Sequence, residues 1–68
     1  MSADNYLWVA PYGDDGFGVW MGFASDEELP TGEPMWTAND SVAAIKWAHR
    51  YCNGNVVEYG VAVADELL

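Results

Sequence analysis

Residues Tyr6-Leu7-Trp8-Val9-Ala10 form a run of aromatic and β-branched side chains, which suits a pleated, half-buried surface. A period of two puts Leu7 and Val9 on one face and Trp8 on the other. Pro11 has no N–H for a ladder, so it ends this strand or places it at an edge. Gly13-Asp14-Asp15-Gly16 carries turn chemistry, because Asp can bond its own backbone and Gly tolerates positive φ. Beyond it, Phe17, Val19, Met21 and Phe23 alternate with Gly18, Trp20 and Gly22. This pattern predicts a second strand, in a hairpin with the first, whose glycines leave room for Trp20 or for another element.

The segment from Ser25 to Pro34, with Asp26, Glu27, Glu28, Glu33, two prolines and Gly32, reads as a negatively charged loop. Met35 and Trp36 return to apolar surroundings before a helix. Thr37 is the expected N-cap, with Asp40 at the third helical position as a variant capping box. Val42, Ile45, Ala48 (or His49) and Cys52 recur at helical spacing, and Ala44 widens the stripe. Lys46 and Arg50 are expected in the last turns, with Asn53-Gly54 as the stop. A third strand is expected from Val56 to Ala64, with Val57, Tyr59, Val61 and Val63 on one face. An acidic tail, Asp65-Glu66-Leu67-Leu68, follows. The pattern predicts an α+β fold over residues 1–68. It is a small two-layer β-β-α-β domain, an antiparallel hairpin plus a third strand packed on one helix. The pairing of the third strand stays open.

A chain of 68 residues sits at the low end of domain size, where a disulfide, metal or partner subunit often helps folding. The single Cys52 excludes an internal disulfide, and Cys52 with His49 is too little for a metal cage built from Cys and His. Apolar packing must therefore hold the fold, with four Trp, four Tyr and two Phe as the large contributors. A monomer or weak homodimer is expected. Cysteine poverty favours a reducing cytoplasm. The opening Met1-Ser2-Ala3-Asp4-Asn5 has neither the basic region nor the apolar run of a signal peptide.

Catalytic constellations are weak. Asp14-Asp15 and Glu27-Glu28 are adjacent acids in turns and loops, where carboxylates point to solvent and do not share a cleft. His49 and Cys52 share a helical face, but a working pair also needs an orienting group and an oxyanion site. Gly13, Gly16 and Gly18 resemble a phosphate loop only in spacing, since two Asp lie among them and no helix follows. No enzyme, cofactor or metal is expected.

Charge changes the picture most. Eleven Asp and Glu face only Lys46 and Arg50, a net charge of −9. Such a surface cannot grip nucleic acid directly and is repelled by anionic membranes, while it attracts basic partners. Asp14, Asp15, Asp26, Glu27, Glu28, Glu33, Asp40 and Glu58 are the expected partner-binding residues. Carboxylates on a rigid domain can take the place of phosphates in a Lys/Arg-lined groove, because Arg pairs bidentately with both. In size, charge, the Gly13-Asp14-Asp15-Gly16 turn, the Asp26-Glu27-Glu28 loop and β-β-α-β order, the chain resembles small acidic anti-CRISPR proteins of phages. That resemblance implies a stoichiometric inhibitor occupying the DNA-binding, PAM-reading site of a CRISPR effector such as a type I Cascade subunit. The alternative expectation is a phage accessory interaction module that uses exposed aromatics, Trp20 or Trp36, without DNA mimicry.

Overall fold

The computed structural model describes residues 4–55 and 57–67. Met1, Ser2, Ala3, Leu68 and Val56, the expected first residue of the last strand, lie outside the described residues. The chain runs β1 (Asn5–Tyr12), β2 (Gly16–Phe23), β3 (Trp36–Ala38), α1 (Ser41–Gly54), β4 (Val61–Val63) and a 3₁₀ turn over Asp65–Leu67. The strands form one mixed sheet in the order β3-β2-β1-β4, with α1 on one face. The fold is α+β, as the pattern predicts.

The β1–β2 hairpin follows the period of two closely. Val9 pairs with Val19, Trp8 with Trp20 and Tyr6 with Gly22. Gly13 at φ 73° makes the reversal, a conformation that L side chains rarely adopt. Leu7, Val9 and Val19 are fully buried on the helix side together with Ala44 and Ala48. Full burial of each of these three branched side chains contributes about 1.5–3 kcal/mol. Phe17, Met21, Trp36, Trp47 and Tyr51 close the edge of this core. Trp36 stacks on Trp47 with ring centroids 5.1 Å apart, and Trp47 stacks on Tyr51 at 5.3 Å.

The helix departs from the expected pattern at both ends and in its buried stripe. The helix begins later than Thr37, because Trp36–Ala38 is a strand whose residues pair antiparallel with Phe17–Val19. Asp40 is the N-cap, and its carboxylate accepts the Ala43 amide at 3.2 Å. The helix also ends later and without a left-handed glycine. It runs through Gly54, and Asn55 Nδ2 donates to the Tyr51 carbonyl at 3.0 Å. Lys46 and Arg50 consequently sit before the last turn. The buried stripe centres on Ala44 and Ala48, which leaves Val42 53% exposed.

The last strand is short. Only Val61–Val63 pairs, and it runs parallel to Leu7–Val9 of β1. Upstream, the backbone is held differently: the Glu58 amide donates to Oδ1 of buried Asn5, and the Tyr59 amide to the Asn5 carbonyl. Tyr59, expected on the packed face, is 60% exposed.

Candidate interaction surface

Strand directions decide where the carboxylates lie. β1 runs toward the Gly13–Asp15 turn, and parallel β4 runs the same way into Asp65 and Glu66. β3, antiparallel to β2, also ends there and leads into Asp40. One end of the sheet thus gathers Asp14, Asp15, Asp40, Asp65 and Glu66. The opposite end gathers Asp4, whose carbonyl accepts the Ala24 amide, the Asp26–Glu28 segment that follows β2, and Glu58 beside Asn5. Glu33 lies on the loop between them.

All eight acids expected to meet a partner are exposed. The fold brings Asp14, Asp15 and Asp40 together at one end and Asp26, Glu27, Glu28 and Glu58 at the other, so they do not form one continuous group. Eight residues of β1 separate the ends, ~26 Å at about 3.3 Å per residue. The molecule's longest dimension is 38 Å. Asp40 has a second task as the helix cap, which fixes its carboxylate toward α1. Asp26, Glu27 and Glu28, with Leu29, Pro30 and Thr31, line an open concavity of ≈ 450 Å³. Lys46, Arg50 and His49 are exposed on the outer side of α1, away from the sheet.

The helix-free face of the sheet was under-read in the sequence. Alternation places Tyr6, Trp8, Ala10 and Tyr12 of β1 there, beside Gly18, Trp20 and Gly22 of β2. Trp20 is 8% exposed, and its Nε1 donates to the Gly32 carbonyl at 3.0 Å. It is therefore not the exposed anchor expected of it. The indole lies across Gly18, where a Cβ would stand 2.8 Å from its ring and 3.0 Å from Pro34. Tyr6 lies across Gly22 in the same way. Tyr12 meets Trp20 edge-on at 5.8 Å and is 41% exposed. Trp36, the other expected anchor, is half-buried in the stack against α1.

Cys52 is half-buried against the core while His49 is exposed, and burial pushes the Cys52 thiol up from its ordinary value. A raised thiol is a poorer nucleophile at neutral pH. Among the described residues, no group of three or more His, Cys, Asp or Glu is placed to hold a metal ion. No helix among them is long and apolar enough to cross a membrane. No protein-family model matches the chain, and no curated protein or solved structure matches it.

Proposed function

We propose that this protein is a stoichiometric binding protein that presents its carboxylates to the cationic, nucleic-acid-binding site of a partner and keeps nucleic acid out. The observation that carries this reading is the disposition of charge. Nine exposed carboxylates bracket both ends of a rigid sheet, Glu33 lies on the loop between them, and the two cations are confined to the outer side of one helix. Two anionic groups ~26 Å apart span the length of about eight phosphates on one DNA strand, at about 3.4 Å each. The separation exceeds the Debye length of about 8 Å at physiological ionic strength, so the two ends act as independent contacts. A CRISPR effector that reads its PAM through arginines paired bidentately with guanines has the required chemistry.

The test is charge reversal with the fold held constant. Asp26→Lys with Glu28→Lys, and separately Asp14→Lys with Asp15→Lys, should each weaken partner binding at low salt. Their effects should add in the combined variant, since the sites are far apart. Wild-type affinity for a nucleic-acid-binding partner that ignores both pairs and is flat from about 50 to about 200 mM salt would reject the reading.

A further inference from the structure

We propose that the uncovered half of the helix-free sheet face, formed by Tyr6, Trp8, Ala10, Tyr12 and Ala62, is a docking surface for an extended arginine-rich segment of the cationic partner. This inference rests on the carboxylate reading given above and names the chemistry of the contact.

The two halves of this face differ. On the β2 and β3 side, the loop carrying Gly32 and Pro34 lies over Gly18 and Trp20, so that half is closed. On the β1 and β4 side, Trp8 is paired with Ala62 across the parallel ladder, and no helix among the described residues lies over them. Tyr6, Trp8, Ala10 and Ala62 are each only partly buried, and Tyr12 is exposed. An aromatic row is thus presented along β1, with successive members on that face about 6.6 Å apart where they are two residues apart.

Charge complementarity selects the occupant. Asp4 precedes the row and Asp14-Asp15 follows it, while Glu58 and Asp65-Glu66 flank β4 in the same manner. An apolar and aromatic strip closed at both ends by carboxylates fits a chain whose side chains are long and apolar with cationic tips. A second copy of this protein would bring another −9 to the same strip and is repelled. Arginine is favoured over lysine because its planar guanidinium stacks on Trp and Tyr faces and pairs bidentately with carboxylates.

The experiment uses fluorescently labelled nona-arginine and nona-lysine peptides, titrated by anisotropy against the full chain. Both carry the same charge, so their difference removes net attraction and leaves stacking and bidentate pairing, which the ring-removing variants then separate. Nona-arginine is expected to bind about three- to fivefold more tightly than nona-lysine. Trp8→Leu keeps the apolar area but removes the ring, and should cut this preference while nona-lysine affinity stays within about twofold. Tyr12→Leu, at an exposed position, serves as a second variant should Trp8→Leu unfold, with circular dichroism and a urea midpoint reporting the fold. A preference for arginine unchanged in both variants would overturn the proposal. Equal, salt-sensitive binding of both peptides to the wild type would overturn it too, while leaving the carboxylate reading standing. Binding of neither peptide would sink both.

Discussion

Adding one methyl group at each of three glycines should give three different outcomes, two of them opposite in sign. In Gly18→Ala the new Cβ would stand 2.8 and 3.1 Å from Trp20 ring atoms and 3.0 Å from Pro34 Cβ. Neither neighbour can retreat cheaply. Trp20 is buried and tied through Nε1 to the Gly32 carbonyl, and Pro34 belongs to the same loop. Overpacking of this kind costs about 1–3 kcal/mol, and loss of the indole hydrogen bond adds about 1 kcal/mol. The lower backbone entropy of alanine in a strand returns only about 0.5–1 kcal/mol. The net expectation is about 1–3 kcal/mol of destabilisation. In Gly22→Ala the obstructing atoms, 2.7–3.0 Å away, belong to the outer end of the Tyr6 ring. That ring is only partly buried and can swing outward, so the cost should fall below that of Gly18→Ala. In Gly54→Ala the new Cβ meets nothing within 4 Å and φ is not positive, so the helix should gain about 0.5–1 kcal/mol. Urea unfolding followed by tryptophan fluorescence measures all three, and an unchanged m-value certifies that the midpoints report stability. A Gly18→Ala protein as stable as wild type would refute the packing of Trp20 and its loop over β2.

Three further outcomes are expected. Asp40→Ala should cost about 1 kcal/mol by removing the cap on Ala43, whereas Thr37→Ala, at an exposed strand position, should change stability by less than about 0.5 kcal/mol in urea melts. Asn5→Ala should destabilise by about 1–3 kcal/mol, because the Glu58 amide loses its acceptor at a buried site, and hydrogen exchange at Glu58 should quicken. Cys52 has a folded pKa above its unfolded one, so the unfolded chain ionises first on raising pH. Its contribution to stability should therefore be full below the unfolded thiol pKa and be lost as pH climbs through the folded one, a decline that Cys52→Ser should flatten in alkaline melts.

The hairpin was legible because an aromatic and β-branched run from Tyr6 to Ala10 and an alternating run from Phe17 to Phe23 flank a Gly-Asp-Asp-Gly turn. β3 was not legible, since three residues are too few for a period to declare itself. That omission had consequences. Thr37 and Asp40 are both capping residues, and only pairing of Trp36–Ala38 with β2 assigns the helix start to Asp40. With β3 absent, the direction of the last strand was also undetermined. With β3 present, β3–α1–β4 is a crossover unit whose helix joins two parallel strands. The valine-rich run before Ala64 overstated β4, because the Asn5 side chain takes the Glu58 amide and Gly60 turns at φ 78°, which breaks the alternation. Of the candidate site, the exposure of the acids followed from their solvation, whereas their division between two ends depended on strand directions. The room that Gly18 leaves for the Trp20 ring was legible, whereas its burial was not, because the loop that covers it comes from residues 30–34, beyond any local pattern.

Titrating the protein into a preformed complex of a nucleic-acid-binding partner with labelled duplex DNA, and measuring released DNA at low and high salt, separates exclusion of nucleic acid from simple binding. Stoichiometric release at low salt is expected, weakening steeply as salt rises and lost when both acidic ends are reversed to lysine. A ternary complex in which the protein binds and the DNA stays in place would contradict it.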